Sequence, residues 1–135
     1  MKPNKKTLKT DTRQAIGKFG EDEAVRYLME QGYVIAHRNW RCRSGELDIV
    51  AKRNSAVVVV EVRTRRAGGR FGTAAESVDA RKQLQVRSTT EVYLAMNKLH
   101  HSQVRFDVIA ITAAAGTDRL QPYEVIELKH IESAF

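Results

Sequence analysis

An α/β domain, with a mixed central sheet flanked by helices, is the fold class this sequence predicts. Two observations carry that reading. Segments of helical period alternate with segments of strand period, in the order helix, strand, hairpin, helix, strand, strand. A long helical segment also lies between the strand ending near Arg63 and the one beginning at Val104. That suits a crossover to a neighbouring strand, because parallel strands need a long connection. At 135 residues and 42% hydrophobic content, the chain is large enough for one domain with its own core. No internal repeat and no second domain is visible.

Residues 1–11 are rich in lysine and read as a flexible basic tail, leaving 12–135 as the single domain. Thr12 to Gln31 reads as a helix, with Ile16, Gly20, Ala24, Tyr27 and Leu28 forming one apolar stripe and Gly32 placed as its C′ residue. Gly20 on that stripe suits either close approach of a backbone or helix packing. A strand follows at about Tyr33 to His37. Residues 46–52 and 56–64 read as a hairpin around the short polar segment Lys52-Arg53-Asn54-Ser55. Residues 65–76 carry Gly68, Gly69 and Gly72 among Arg65, Arg66 and Arg70, and read as a flexible basic loop. A second helix spans roughly Ser77 to Asn97, and strands return at 104–112 and 122–128.

The formal charge is +7 and the isoelectric point about 9.8, which favours a polyanionic partner. From 61 to 87 there are seven basic residues against three acidic, so phosphate contact there is expected, with a solvated basic face as the alternative. Trp40 and Phe71 are candidates for stacking on bases, although Trp40 fits a core or hairpin-edge position better. One cysteine, Cys42, excludes an internal disulfide and fits a reducing compartment. The N-terminus lacks the apolar stretch of a signal peptide. No apolar run approaches the ~18 residues of a membrane span. A cytoplasmic protein without a membrane partner is the expectation. The four histidines lack metal-ligand spacing, and no Gly-Lys-Ser/Thr phosphate loop is present.

Asp48 and Glu61 carry the chemistry. Each puts a carboxylate into a segment that reads as a buried strand, Gly45-Glu46-Leu47-Asp48-Ile49-Val50 and Val57-Val58-Val59-Val60-Glu61-Val62-Arg63. A buried carboxylate is costly unless it is paired or bound to a metal. If Asn54-Ser55 is a two-residue loop, Arg53 faces Ala56, Val50 faces Val59, Ile49 faces Val60, Asp48 falls opposite Glu61, and Leu47 faces Val62; a three-residue loop would shift the pairing by one and separate the carboxylates. Alternation then puts Asp48 on one face with Glu46 and Val50, with Leu47 and Ile49 on the other. Like charges directly opposite are destabilising, and a divalent cation would remove the conflict. Mg²⁺ takes oxygen ligands and keeps several waters, so Asp48, Glu61 and the Val62 carbonyl would suffice to hold it, with Mn²⁺ as a substitute. The alternative is a pair of exposed carboxylates on a solvated face. In this register Arg63 falls opposite Glu46, so a cross-strand ion pair is expected if Arg63 is structural.

The pattern of a carboxylate followed about a dozen residues later by Glu-x-Lys resembles the PD-(D/E)-x-K nucleases. The wider sequence is more specific. Gly17-Lys18-Phe19-Gly20-Glu21-Asp22-Glu23-Ala24, Tyr27-Leu28, Gly32-Tyr33, Arg38-Asn39-Trp40-Arg41, Gly45-Glu46-Leu47-Asp48, Val60-Glu61-Val62-Arg63, Arg105-Phe106-Asp107-Val108 and the closing Ile131 to Phe135 resemble the YraN-like family of bacterial proteins, in order and over nearly the whole chain after residue 12. That family is generally regarded as predicted nucleases, similar to archaeal-type Holliday junction resolvases. The resemblance implies a restriction-endonuclease-like fold and a metal-dependent DNA endonuclease site. Its catalytic residues would be Glu21, Asp48, Glu61 and Arg63, with Asp48, Glu61 and Val62 at the metal. Periodicity by itself leaves Glu21 and Glu23 equally placed, at opposite edges of the helix stripe; the family motif selects Glu21. Arg63 departs from the lysine of the nuclease pattern. Arginine stays charged and cannot act as a base, but it can hold a phosphate.

Two function classes follow. One is an Mg²⁺-dependent endonuclease acting on DNA, with branched DNA among its candidate substrates; junction resolution needs two cuts, so a homodimer accompanies that variant. The other is a non-catalytic nucleic-acid-binding module on the same fold. A protein-interaction domain with a basic face is a third.

Overall fold

The computed structural model describes residues 5–68, 77–118 and 120–135, with side chains from residue 12 onward. Seven elements follow in order: α1 (Lys5–Glu30), β1 (Val34–Cys42), β2 (Gly45–Arg53), β3 (Ala56–Arg66), α2 (Ala80–Met96), β4 (Gln103–Asp118) and β5 (Gln121–Ile131). The strands form one sheet in the order β1-β2-β3-β4-β5. The β3–β4 pair is parallel and the other three are antiparallel, so the expected mixed sheet is present. It is compatible with a restriction-endonuclease-like fold.

β3 shows why the sheet must be covered on both faces. Val57, Val58, Val59 and Val60 are all buried, as expected of a strand with a helix on either side. Val58 and Val60 pack with Ile49, Ala51, Ile109 and Ile111 under Ala24 and Leu28 of α1. Val57 and Val59 pack with Leu47, Val50 and Phe106 under Val86 and Tyr93 of α2. α2 is the crossover between the parallel strands β3 and β4.

Local chemistry sets the element ends. Gly32 has φ 90°; its N–H donates to the Met29 carbonyl at 3.1 Å, and the Tyr33 N–H donates to the Leu28 carbonyl at 2.9 Å. This is the Schellman closure that a C′ glycine permits. Asp79 caps α2, accepting from the Lys82 N–H at 2.8 Å. The hairpin turn is the two residues Asn54 and Ser55, with Arg53 paired to Ala56.

Several elements run longer than the sequence suggests. α1 begins at Lys5 rather than Thr12; no glycine or proline stands between Lys5 and Ile16 to stop it. β1 continues to Cys42, taking in Arg38-Asn39-Trp40-Arg41. Its apolar signal fails there because the strand is at the sheet edge and mostly exposed. β4 and β5 form a long hairpin with two register shifts, which blur the period-2 pattern. Residues 69–76, with Arg70 and Phe71, lie outside the described residues.

Gly20 has a clear steric reason. A Cβ there would stand 1.8 Å from Oγ1 of Thr64 on β3, so α1 crosses the strand at contact distance. Gly20→Ala is therefore expected to cost about 1–3 kcal/mol, the usual penalty for overpacking. Thermal unfolding of the single variant and of Gly20→Ala/Thr64→Ala, in which part of the loss returns, tests this.

Candidate functional site

The β2–β3 register is the one expected as far as Ile49 opposite Val60. Beyond that point the ladder stops, and the expected alternation fails. Leu47 packs on the α2 side of the sheet with Val50, whereas Ile49 packs on the α1 side. Leu47 and Ile49 therefore do not share a face, and the expected Asp48–Glu61 and Leu47–Val62 pairings are both absent from the ladder. The irregularity lies where Asn39 of β1, at φ 51°, sits between the pairs Arg38–Ile49 and Trp40–Leu47.

This break aims Asp48 into the gap between the strands. Its Oδ2 accepts the Val62 backbone N–H at 2.9 Å. The N–H and C=O of one strand residue point to the same side, so the Val62 carbonyl also faces β2. Glu61, on the neighbouring position, is buried with 4% exposure. In its protonated form it is within hydrogen-bond reach of Asp48. Ionised, its Oε1 has no partner. Burial first, then the Asp48 charge, pushes the Glu61 pKa up to about 8, against the opposing pull of Lys82 and Arg63.

Glu21 reaches the same place from α1, because Gly20 lets the helix touch β3. Asn39, with its amide nitrogen turned inward, lies 3.1 Å from both Glu21 and Glu46. Burial and the Asp48 charge raise the Glu21 pKa. Glu23 pairs instead with Arg26, so the packing distinguishes two residues that periodicity leaves equal. Arg63 follows Glu61 and Val62 on β3 and is half-buried. Its expected cross-strand partner is taken: Glu46 pairs with Arg41 at 3.2 Å.

The structure thus gathers Asp48, Glu61, the Val62 backbone and Glu21 at one end of the β2–β3 pair. Among the described residues, no three His, Cys, Asp or Glu side chains are placed to hold a metal ion by themselves. The smaller set of two carboxylates and one carbonyl fits a hard cation that keeps its waters, and the unpartnered Glu61 oxygen is a lone acceptor that such an ion would satisfy. Sequence reasoning missed Asn39, which orients Glu21, and Lys82, whose Nζ lies 3.9 Å from Glu61 Oε2. Asn39 stood inside the family motif; Lys82 stood among many basic residues, with no local signal to single it out.

A second polar cluster lies on the α1 side. Asp107, fully buried, accepts from Arg105 Nε at 2.8 Å, Arg105 Nη2 at 2.7 Å and the Ser133 N–H at 3.0 Å. It also bonds His130 Nε2 at 2.7 Å, and His130 Nδ1 bonds the Tyr27 hydroxyl at 3.0 Å. Trp40 packs edge-on against the buried Tyr93 at 5.1 Å, in keeping with the core or hairpin-edge position expected for it. No helix among the described residues is long and apolar enough to cross a membrane.

Fold and site together define an α/β protein with a pair of carboxyl groups at the end of two neighbouring strands, where their ladder stops. Residues 20–111 match the uncharacterised protein family UPF0102. The chain is 44% identical over 121 residues to a UPF0102 protein of Rhodococcus opacus, covering 90% of this chain and 96% of that one. A UPF0102 protein of Frankia alni is 40% identical over 123 residues, covering 91% and 96%. One from Persephonella marina is 45% identical over 95 residues, covering 70% and 81%. The chain belongs to the UPF0102 family, of YraN-like proteins.

Proposed function

We propose that this protein is a metal-dependent endonuclease that hydrolyses phosphodiester bonds in DNA, with branched DNA among its substrates. The observation that carries the reading is the Asp48–Glu61 pair, two carboxyl groups held together at a cost that keeps Glu61 protonated up to about pH 8 when no cation is present. Asp48 is fixed by the Val62 amide and Glu61 is fixed by burial, so neither can swing away from the other. Bound between them and the Val62 carbonyl, Mg²⁺ or Mn²⁺ would activate water and offset charge on the phosphate. Glu21, held by Asn39, borders the same acidic end. Arg63, two residues on from Glu61, adds its positive charge to the hold on the DNA backbone. The excess of basic residues from 61 to 87 supplies non-specific affinity. Cleavage of both strands of a junction calls for a homodimer, and a lone cysteine suits the cytoplasm.

Purified protein incubated with plasmid, single-stranded and four-way-junction DNA, with Mg²⁺, Mn²⁺ or EDTA, tests this. Metal-dependent cleavage is expected, with Asp48→Asn and Glu61→Gln each abolishing it while the fold survives. Full activity in both variants would sink the site assignment. The second reading, a DNA-binding module that does not cut, is favoured by Arg63 in the lysine position. It expects salt-sensitive binding and no cleavage with any metal.

A further inference from the structure

We propose that Lys82, at the start of α2, is the cation that engages the substrate phosphate at the Asp48–Glu61 pair, the place that spacing along β3 assigns to Arg63. The proposal rests on the nucleic-acid reading above.

Three observations carry it. Lys82 Nζ stands 3.9 Å from Glu61 Oε2, beyond hydrogen-bond distance but inside ion-pair range. Its side chain is 36% exposed while that of Glu61 is 5% exposed. The ammonium therefore sits on the solvent side of the buried carboxyl, close to it yet not hydrogen-bonded to it, and is free to turn to an arriving phosphate oxygen. Second, its position is fixed. Lys82 is the third residue of α2 and its N–H is held by the Asp79 cap at 2.8 Å, so the charge is presented from a rigid element. Third, α2 continues as a polar wall. Gln85 and Thr89 follow Lys82 at helical spacing, and both lie against the Gly45 backbone at the start of β2. Among the described residues, the buried side-chain oxygens without a partner are Glu61 Oε1 and Thr89 Oγ1, and both residues lie on the α2 side of the sheet. Unsatisfied buried groups call for an explanation such as a ligand or ordered water. A lysine is a compact charge with three rotatable donors and binds phosphate as a point charge, so it needs no fixed fork geometry to meet a single phosphate oxygen.

The test measures DNA affinity against salt in EDTA, and single-turnover cleavage at saturating DNA in Mg²⁺. Lys82→Ala and Lys82→Met are compared with Arg63→Ala and with Lys52→Ala, an equal loss of charge at the other end of the hairpin. Loss of one phosphate contact reduces the slope of log affinity against log salt by about 0.9, and both Lys82 variants should show this. Loss of one group that stabilises charge in the reaction lowers the rate by about 100-fold, and Lys82 variants are expected to lose more than Arg63→Ala. Methionine keeps the apolar stem, so a near-normal Lys82→Met variant makes the lysine structural and overturns the proposal. An unchanged salt slope, or a larger rate loss in Arg63→Ala, also overturns it. A wild-type protein that binds DNA but cuts none overturns the nuclease reading alone, and the slope then decides on Lys82. Failure of the wild type to bind DNA at low salt removes both.

Discussion

Asp107→Ala is expected to destabilise the protein by about 3 kcal/mol, the lower end of the range for breaking a buried ion pair. The carboxylate is fully buried and satisfies donors from three parts of the chain: Arg105 on β4, His130 on β5 and the Ser133 backbone beyond it. Its removal leaves the Ser133 N–H and the His130 ring without their acceptor. Arg105 is 28% exposed and can turn to water, which is why the lower end applies. The C-terminal segment should loosen first, since Ser133 and the Ala134 N–H, bonded to the Phe106 carbonyl at 2.7 Å, hold it against the sheet. Burial would raise the Asp107 pKa, but the hydrogen bonds from Arg105, His130 and Ser133 overcome it and hold the carboxyl below its ordinary 3.8. A depressed acid contributes stability that is present above 3.8 and is lost as pH falls through the folded value. Urea unfolding from neutral to acid pH should show that acid limb in the wild type and a shallower one in Asp107→Asn. Equal stability of wild type and Asp107→Ala at neutral pH would mean the cluster holds nothing together.

Glu61→Gln is expected to do the opposite and stabilise the protein at pH 8 and above. The folded pKa is about 8 against an ordinary 4.5. Between those values the folded protein keeps a proton that the unfolded chain has released. Stability therefore falls as pH rises across that window, at about 1.4 kcal/mol per unit, and is flat beyond it. Glutamine removes the titration, so the variant gains on the order of a few kcal/mol at pH 8 and little at pH 4. Melting temperature against pH reads this directly. A divalent cation changes the sign, because it favours the ionised form. Millimolar Mg²⁺ or Mn²⁺ should raise the wild-type melting temperature near pH 8 by mass action, and neither Glu61→Gln nor Asp48→Asn should respond. A flat wild-type pH profile would refute the burial argument; absence of a metal shift would remove the metal from the proposed site.

The opposing signs have one cause. Asp107 and Glu61 are both carboxylates in buried strands, and nothing in their immediate sequence separates them. Asp107 meets a guanidinium, an imidazole and an amide. Glu61 meets a second carboxylate and a lysine held at 3.9 Å. A buried carboxyl that keeps its proton beside a second carboxylate is what the proposed metal site calls for, while a satisfied network is a structural tie.

The Gly32 helix stop and the burial of β3 were legible because each follows from a local rule, a C′ glycine and a run of valines; the register through Ile49 and Val60 followed only on the assumption of a two-residue turn, a length the polar segment left open and the pairing of Arg53 with Ala56 decided. The family motif supplied Glu21, which helix period could not separate from Glu23. The break at Leu47 and Ile49 was not legible, because it arises where β2 leaves β3 while still paired with β1, a condition set by three strands at once. The extension of β1 past His37 was hidden for a related reason, since an exposed edge strand carries little hydrophobic pattern.

The sequence by itself determined the sheet order's local pieces, the helices that cover it, and the presence of two carboxylates on adjacent strands. Only the tertiary structure decided which groups face them. Lys82 lies on a helix across the crossover from Glu61, Asn39 on an edge strand, and Gly20 on the helix of the other layer. Periodicity fixes the face on which a side chain stands, but the partner across the gap depends on how separate elements pack, and that is set by the whole core rather than by any local run of residues.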